Sequence, residues 1–127
     1  AAIRDDGSVV AWGHRQSGGD SRAVQAQLIN VKEIQATRST GESAFAALLH
    51  DGSVVTWGDS CCGDSSGVQA QLQGVQQIQA TALAFAALRR NGAVVTWGAL
   101  NAGGDSRNVQ EQLRGVVQLQ ASHEAFA

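Results

Sequence analysis

The chain has 127 residues, of which 43% are apolar, and its nine basic and eleven acidic residues give a formal net charge of -2. This length supports one domain with an ordinary core, and the charge balance argues against nucleic acid as a partner, because phosphate backbones are bound by clustered lysine and arginine. The longest uncharged apolar run covers residues 82–88, far below the roughly 20 residues that a membrane-spanning helix needs.

One segment recurs three times along the chain and ends each time in Trp-Gly. The copies cover residues 6–13, 51–58 and 91–98. A recurrence every 40 to 45 residues or so predicts a repeat architecture, in which each unit buries its apolar surface against the next. The single domain, residues 1–127, therefore divides into repeats of approximately 1–45, 46–85 and 86–127.

Each repeat is predicted to contain four strands. An Asp-Gly or Asn-Gly pair between two apolar runs indicates a β-hairpin, and in the second repeat its arms are Ala44–Leu49 and Ser53–Trp57. A Val-Gln-x-Gln-Leu segment follows, ending at Leu28, Leu72 and Leu113. Its alternation favours a strand, although the Asp-Ser pair before it could instead cap a short helix. The last elements are 31–36, 75–80 and 116–121.

The stretch of residues 75–98 carries a family resemblance. Its residues 84–98, Ala-Phe-Ala-Ala-Leu-Arg-Arg-Asn-Gly-Ala-Val-Val-Thr-Trp-Gly, preceded by 75–80, resemble the repeat of the regulator-of-chromosome-condensation family. Phenylalanine stands where that family often has a strand-opening histidine, and Gly-Asp-Ser replaces its Gly-Gln-Leu-Gly loop, which indicates a divergent branch. The resemblance implies an all-β fold, a partial β-propeller of about three four-stranded antiparallel blades, as an open fragment of a larger ring or array.

The most regular residues are interpreted as the structural core of the repeats. They are Trp12, Trp57, Trp97, Phe45, Phe85, Phe126, Gly7, Gly52 and Gly92. One tryptophan at an equivalent position in every repeat is what packing between identical units requires. The functional alternatives for such an aromatic array are sugar binding, base stacking or, in one branch of the resembled family, ultraviolet absorption.

No catalytic, metal or cofactor site is predicted. Asp20, Asp64 and Asp105 supply one carboxylate per repeat, which suits Asx-turns better than a calcium cage. The histidines, His14, His50 and His123, fall in different parts of their repeats. Adjacent Cys61 and Cys62 are interpreted as reduced loop thiols, with a strained vicinal disulfide as the alternative.

Two further features concern glutamines and loops. Glutamines recur at positions 27, 71 and 112 and at 35, 79 and 120, either to satisfy backbone groups between repeats or to form a wet rim. The loops that differ between repeats are the candidate interaction surface, because unequal positions carry individuality. Their residues are Arg38, Ser39, Thr40, Gly41, Glu42, Ser43, His14 and Arg15, together with the turn 59–62.

The strand pattern is interrupted at both ends of the sequence, since residues 1–3 match 46–48 and residues 124–127 begin a further copy. Open edges invite pairing, so further blades, self-association or a host complex are expected to cover them. The sequence thus predicts a non-catalytic protein–protein interaction or scaffold module. The alternatives are a lectin-like propeller with one pocket per blade and, by resemblance, a nucleotide-exchange-type regulator. No targeting segment is evident, and the compartment stays open.

Overall fold

A computed structural model describes residues 1–127, and its regular structure is mostly β. The first antiparallel sheet contains β1 (Ala2–Ile3) and β2 (Val9–Val10). The second contains β3 (Val31–Ala36), β4 (Ala44–Leu49) and β5 (Val54–Gly58). The third contains β6 (Val75–Ala80), β7 (Ala84–Arg89) and β8 (Val94–Gly98). These three small sheets confirm the all-β class.

Helical structure is short throughout. The single α-helix, α1, covers Ser60–Gly63. The 3₁₀ turns are Arg15–Ser17, Gln25–Gln27, Gln69–Gln71 and Leu100–Ala102. No helix of this chain has the length and apolar character needed to cross a membrane.

The predicted hairpins form around their glycines. In the second sheet, Phe45 pairs with Trp57 and Leu48 with Val54. Gly52 closes the turn with a φ of +84°, and a Cβ there would lie 3.0 Å from the Cα of Gly74. Both the left-handed backbone and this close approach to the segment before β6 therefore favour glycine. Gly7 and Gly92 occupy the same environment in their repeats.

The prediction of four strands per repeat is wrong, because the Val-Gln-x-Gln-Leu segment forms a 3₁₀ turn. Leu28 is fully buried, whereas Ala26 is exposed, although a strand of period two would place both on one side. The Ser21 hydroxyl donates to Gln25 Oε1 over 2.9 Å, which draws the segment into a turn. The complete sheets therefore have three strands each. The copy at 116–121 forms only an isolated bridge between Ala121 and Phe126.

The core lies between neighbouring sheets. Alternate residues of β4 face opposite ways, so that Ala46 and Leu48 join the cluster toward the third sheet while Ala47 and Leu49 join the cluster toward the first. The middle sheet is thus covered on both sides. This arrangement explains why its strands are apolar at nearly every position instead of alternating with polar residues.

In each complete sheet, a phenylalanine–tryptophan pair lies at the end of the last two strands opposite their hairpin turn. Phe45 stacks on Trp57 with ring centroids 5.3 Å apart, and Phe85 stacks on Trp97 at the same distance. Trp57 is 7% exposed, and its Nε1 donates to the carbonyl of Gly18 in the preceding repeat over 3.0 Å. The expectation that every such tryptophan packs between repeats fails for Trp12, which is 66% exposed. No phenylalanine of the chain stacks on it.

Gly18 is the point where one repeat supports the aromatic pair of the next, which gives a stability prediction. Gly18 and Gly41 both have positive φ, but of the two only a Cβ at Gly18 would clash with a ring, at Cδ2 of Phe45. Gly41→Ala should lower the free energy of unfolding by about 1 kcal/mol, from backbone strain alone. Gly18→Ala should lower it by roughly 1 to 3 kcal/mol more, from overpacking. Urea unfolding followed by circular dichroism measures both. Equal losses in the two variants would contradict the assigned contact.

Candidate functional site

The connections that differ between repeats lie at one end of the sheets. Ala44, the first residue of β4, pairs with Gly58, the last of β5, so the segment 37–43 adjoins the loop after Trp57. We call this surface the loop face, and it comprises residues 14–17, 37–43, 59–62, 82–83, 99–102 and 122–124. It contains all the residues that the sequence analysis proposed for interaction.

Hydrogen bonds join the loops of this face across repeats. The Ser17 hydroxyl donates to the Gly41 carbonyl over 3.2 Å, so the turn after Trp12 is attached to the insertion of the next sheet. The backbone amide of Asp59 donates to the Ser43 carbonyl over 3.0 Å, which attaches the turn after Trp57 to the same insertion. The insertion 38–43 is therefore in the middle of the face, bordered by both turns.

The insertion stands on a fixed base. Thr37 is buried, and its Oγ1 accepts the backbone amide of Ala44 over 2.8 Å, closing the connection below the inserted residues. Thr81 makes the same bond to Ala84, where the connection is shorter. The base is common to both repeats, so the additional residues project outward without altering the strands. Arg38, Thr40 and Glu42 are exposed.

A cleft of about 330 Å³ opens beside the insertion. Its lining residues are Arg38, Ser39, Thr40, Ala82, Leu83, Asn101, Ala102, His123 and Glu124. Two hydrogen bonds fix its floor: Thr81 Oγ1 donates to the Ala102 carbonyl over 2.9 Å, and the Ala82 amide donates to the His123 carbonyl over 2.8 Å. The cleft combines an apolar floor with a polar rim that carries both charge signs.

The two cysteines border this face and are both free thiols. Cys61 is exposed and Cys62 is buried, with its Sγ 3.5 Å from Thr37 Oγ1. Asp59 caps α1 by accepting the Cys61 amide over 2.8 Å. Desolvation raises the pKa of both thiols, and the nearby Glu42 carboxylate adds to the rise at Cys61. A raised pKa disfavours the thiolate, so neither cysteine is arranged as an activated nucleophile.

The aspartates of the Asp-Ser turns are engaged within their own turns. Asp20, Asp64 and Asp105 each accept a backbone amide two residues on, which is the predicted Asx geometry. The Arg107 guanidinium hydrogen-bonds Asp105 and lowers the pKa of that carboxyl to about 2. Arg22 has the same effect on Asp20, whose pKa lies well below its ordinary value. The structure brings no three acidic, histidine or cysteine side chains together as a metal-binding group.

The histidines do not converge. His14 and His123 belong to the loop face but to different parts of it, while His50 lies beside the β4–β5 hairpin at the opposite end of the sheet, where its amide donates to the Asn30 carbonyl. His14 Nδ1 lies 3.3 Å from the Ser17 hydroxyl, within its own turn.

The polar network that links the 3₁₀ turns to the hairpins was missed by the sequence analysis. It uses the first glutamine of each Val-Gln-x-Gln-Leu segment, not the second. Each of these amides accepts a serine hydroxyl and donates to a valine carbonyl of the hairpin; they belong to Gln25, Gln69 and Gln110. The singled-out Gln27, Gln71 and Gln112 are exposed. The recurring Ser-x-x-x-Gln spacing was the available signal, since it matches one helical turn.

Comparison with known proteins adds no family to these observations. No protein-family model matches the chain, and a search of curated proteins finds no match.

The glutamine network gives a second stability prediction. Gln69→Ala leaves the buried Ser65 hydroxyl and the Val54 carbonyl without this partner, and should cost about 1 to 2 kcal/mol of unfolding free energy. Gln71→Ala, in the same turn but at a residue whose side chain makes no hydrogen bond, is the matched control and should change stability by less than about 0.5 kcal/mol. Chemical denaturation of both variants provides the measurement. A larger loss in the control would exclude the assigned role of Gln69.

Proposed function

We propose that this chain is a non-catalytic protein–protein interaction module whose loop face binds one protein partner. The observation that carries the proposal is the clustering of every unequal loop at one end of otherwise equivalent sheets. The insertion 38–43 is bonded to turns on either side of it, so the face is a continuous surface and not a set of separate loops. Binding individuality on a repeat scaffold is carried by such unequal positions.

The chemistry of the loop face suits a protein surface. Leu100 is a large exposed apolar side chain on this face, and it lines a cleft together with the charged Asp105 and Arg107. An apolar anchor within a polar rim is the usual composition of a protein–protein contact. The mixed signs of Arg38 and Glu42 favour a partner that also carries both charges.

The same proposal includes the architecture that the sequence resemblance implies. We take the successive sheets to be blades of an RCC-type partial propeller, held within a larger assembly as an accessory unit. The support is the covering of the middle sheet on both sides by neighbouring sheets, together with the repeated Trp-Gly motif. The loop face would then be one rim of that propeller.

The insertion supplies the decisive variant. Replacing residues 38–43 by Ala-Leu, the connection found between Thr81 and Ala84, retains the threonine base and removes the projecting side chains. A partner recovered by the wild-type chain in a pull-down should be lost, with the melting temperature little changed. His50→Ala, at the opposite end of the sheet, is the control and should keep the partner. Retention of the partner by the shortened chain would refute the assignment of binding to the loop face.

A second candidate, small-molecule binding with one pocket per repeat, is favoured by a different observation. Clefts of about 650 Å³ and 360 Å³ lie at equivalent Asp-Ser turns, one beside Asp20 and Arg22 and the other beside Asp105 and Arg107. Hydroxyl-rich ligands such as sugars suit paired carboxylate and guanidinium groups.

Calorimetry distinguishes the two candidates. Titration with a panel of mono- and disaccharides should show no heat of binding if the loop face carries the function. A stoichiometry of two or more sugars per chain would favour the repeated clefts and would count against a single protein partner.

A further inference from the structure

Two apolar surfaces lie at opposite ends of the repeat series, one a group of exposed side chains and the other a cleft. The first, here called the ridge, is formed by Ala2, Val10 and Trp12. Val10 is 44% exposed and Trp12 is 66% exposed, although the equivalent Val55 and Trp57 are buried. The second, here called the end cleft, has a volume of about 250 Å³. Its apolar lining includes Ala86, Val94, Val109, Leu113, Leu119 and Phe126.

The packing between the second and third sheets contains the equivalents of both surfaces. Between the second and third sheets, the residues equivalent to the ridge are Ala87, Val95 and Trp97. They pack in one cluster with Ala46, Val54 and Leu72, which are the equivalents of Ala86, Val94 and Leu113 in the end cleft. A ridge in contact with a cleft is therefore the interface that this sequence already forms with itself.

The aromatic geometry makes the match more specific. A Cβ on Gly18 would clash with Cδ2 of Phe45, and a Cβ on Gly103 would clash with Cδ2 of Phe126. Phe126 thus sits over Gly103 as Phe45 sits over Gly18. At the inner site a tryptophan completes the group, with its ring on Phe45 and its Nε1 bonded to the Gly18 carbonyl. At Phe126 no tryptophan is stacked, and the unstacked tryptophan of the chain is Trp12.

The backbone allows the same register. Phe45 pairs with Trp57 and Ala44 with Gly58 in the β4–β5 ladder. Residues 125–127 already bond to Gln120 on one side, which leaves their other edge for a strand such as 9–13.

We infer that a second copy of this chain docks head to tail, with the ridge of one copy in the end cleft of the other. Trp12 of one copy stacks on Phe126 of the next, and its Nε1 donates to the Gly103 carbonyl. The contact is heterologous, because it joins two different surfaces, and each added copy again presents one ridge and one cleft. It is separate from the loop face, so its test does not depend on the proposed partner.

The direct test is the mass of the 127-residue chain in solution. Sedimentation equilibrium between about 1 and 200 µM should show a mass that rises with concentration through the dimer. Trp12→Ala and Val109→Asp, which alter exposed residues of the ridge and the end cleft, should each weaken association at least tenfold. Ile29→Ala removes an exposed apolar side chain outside both surfaces and should leave association unchanged.

Mixing the two variants tests the head-to-tail geometry. The Trp12→Ala chain keeps an intact cleft, and the Val109→Asp chain keeps an intact ridge. Together they should form a one-to-one dimer that does not grow further, because the remaining ridge and cleft are the altered ones. A monomeric wild type across the concentration range, association that survives Trp12→Ala, or failure of the mixture to dimerise would overturn the inference.

Discussion

The aromatic pair at the end of the β4–β5 and β7–β8 hairpins is the contact on which the repeat series depends. Phenylalanine and tryptophan stand directly opposite each other in the ladder, so the register of β4 and β5 brings Phe45 onto Trp57. A buried aromatic pair contributes about 0.5 to 1.5 kcal/mol beyond the area it buries. The pair is also seated on Gly18 of the preceding repeat, where any larger residue would meet the ring. One interaction therefore fixes the strand register and the position of the neighbouring repeat.

The polar links perform a complementary task at the other end of the hairpin. The serine of each Asp-Ser turn holds a glutamine amide, and that amide reaches a valine carbonyl at the start of the last strand, as in Ser65, Gln69 and Val54. The 3₁₀ turn is thus tied to the hairpin by hydrogen bonds rather than by a fourth strand. Because these bonds between turn and hairpin recur in every repeat, the loops at the other end can vary without altering them.

Sequence reasoning recovered the parts of this fold that depend on local chemistry. The Asp-Gly and Asn-Gly turns predicted the hairpins with their arms, and the repeat period predicted equivalent packing positions. The fourth strand was mistaken because an alternating segment of five residues fits both a strand and a turn, and the local Ser–Gln bond that decides between them was overlooked. The exposure of Trp12 was missed because position in a repeat does not specify whether the neighbouring surface is present. The insertion was identified by alignment of the copies, whereas the cleft beside it required the distant loops at Ala82 and His123 to be placed together.

The second repeat lacks one glycine in the turn after its tryptophan, and α1 occupies that place. As a result, the Nε1 of the buried Trp97 has no acceptor, while Cys62 is enclosed between the second and third sheets next to exposed Cys61. The two thiols are adjacent in the sequence but differ in their access to reagents. Alkylation of exposed Cys61 needs no rearrangement, whereas alkylation of buried Cys62 requires the packing around α1 to open. The ratio of the two alkylation rates therefore reports how often the packing around α1 opens.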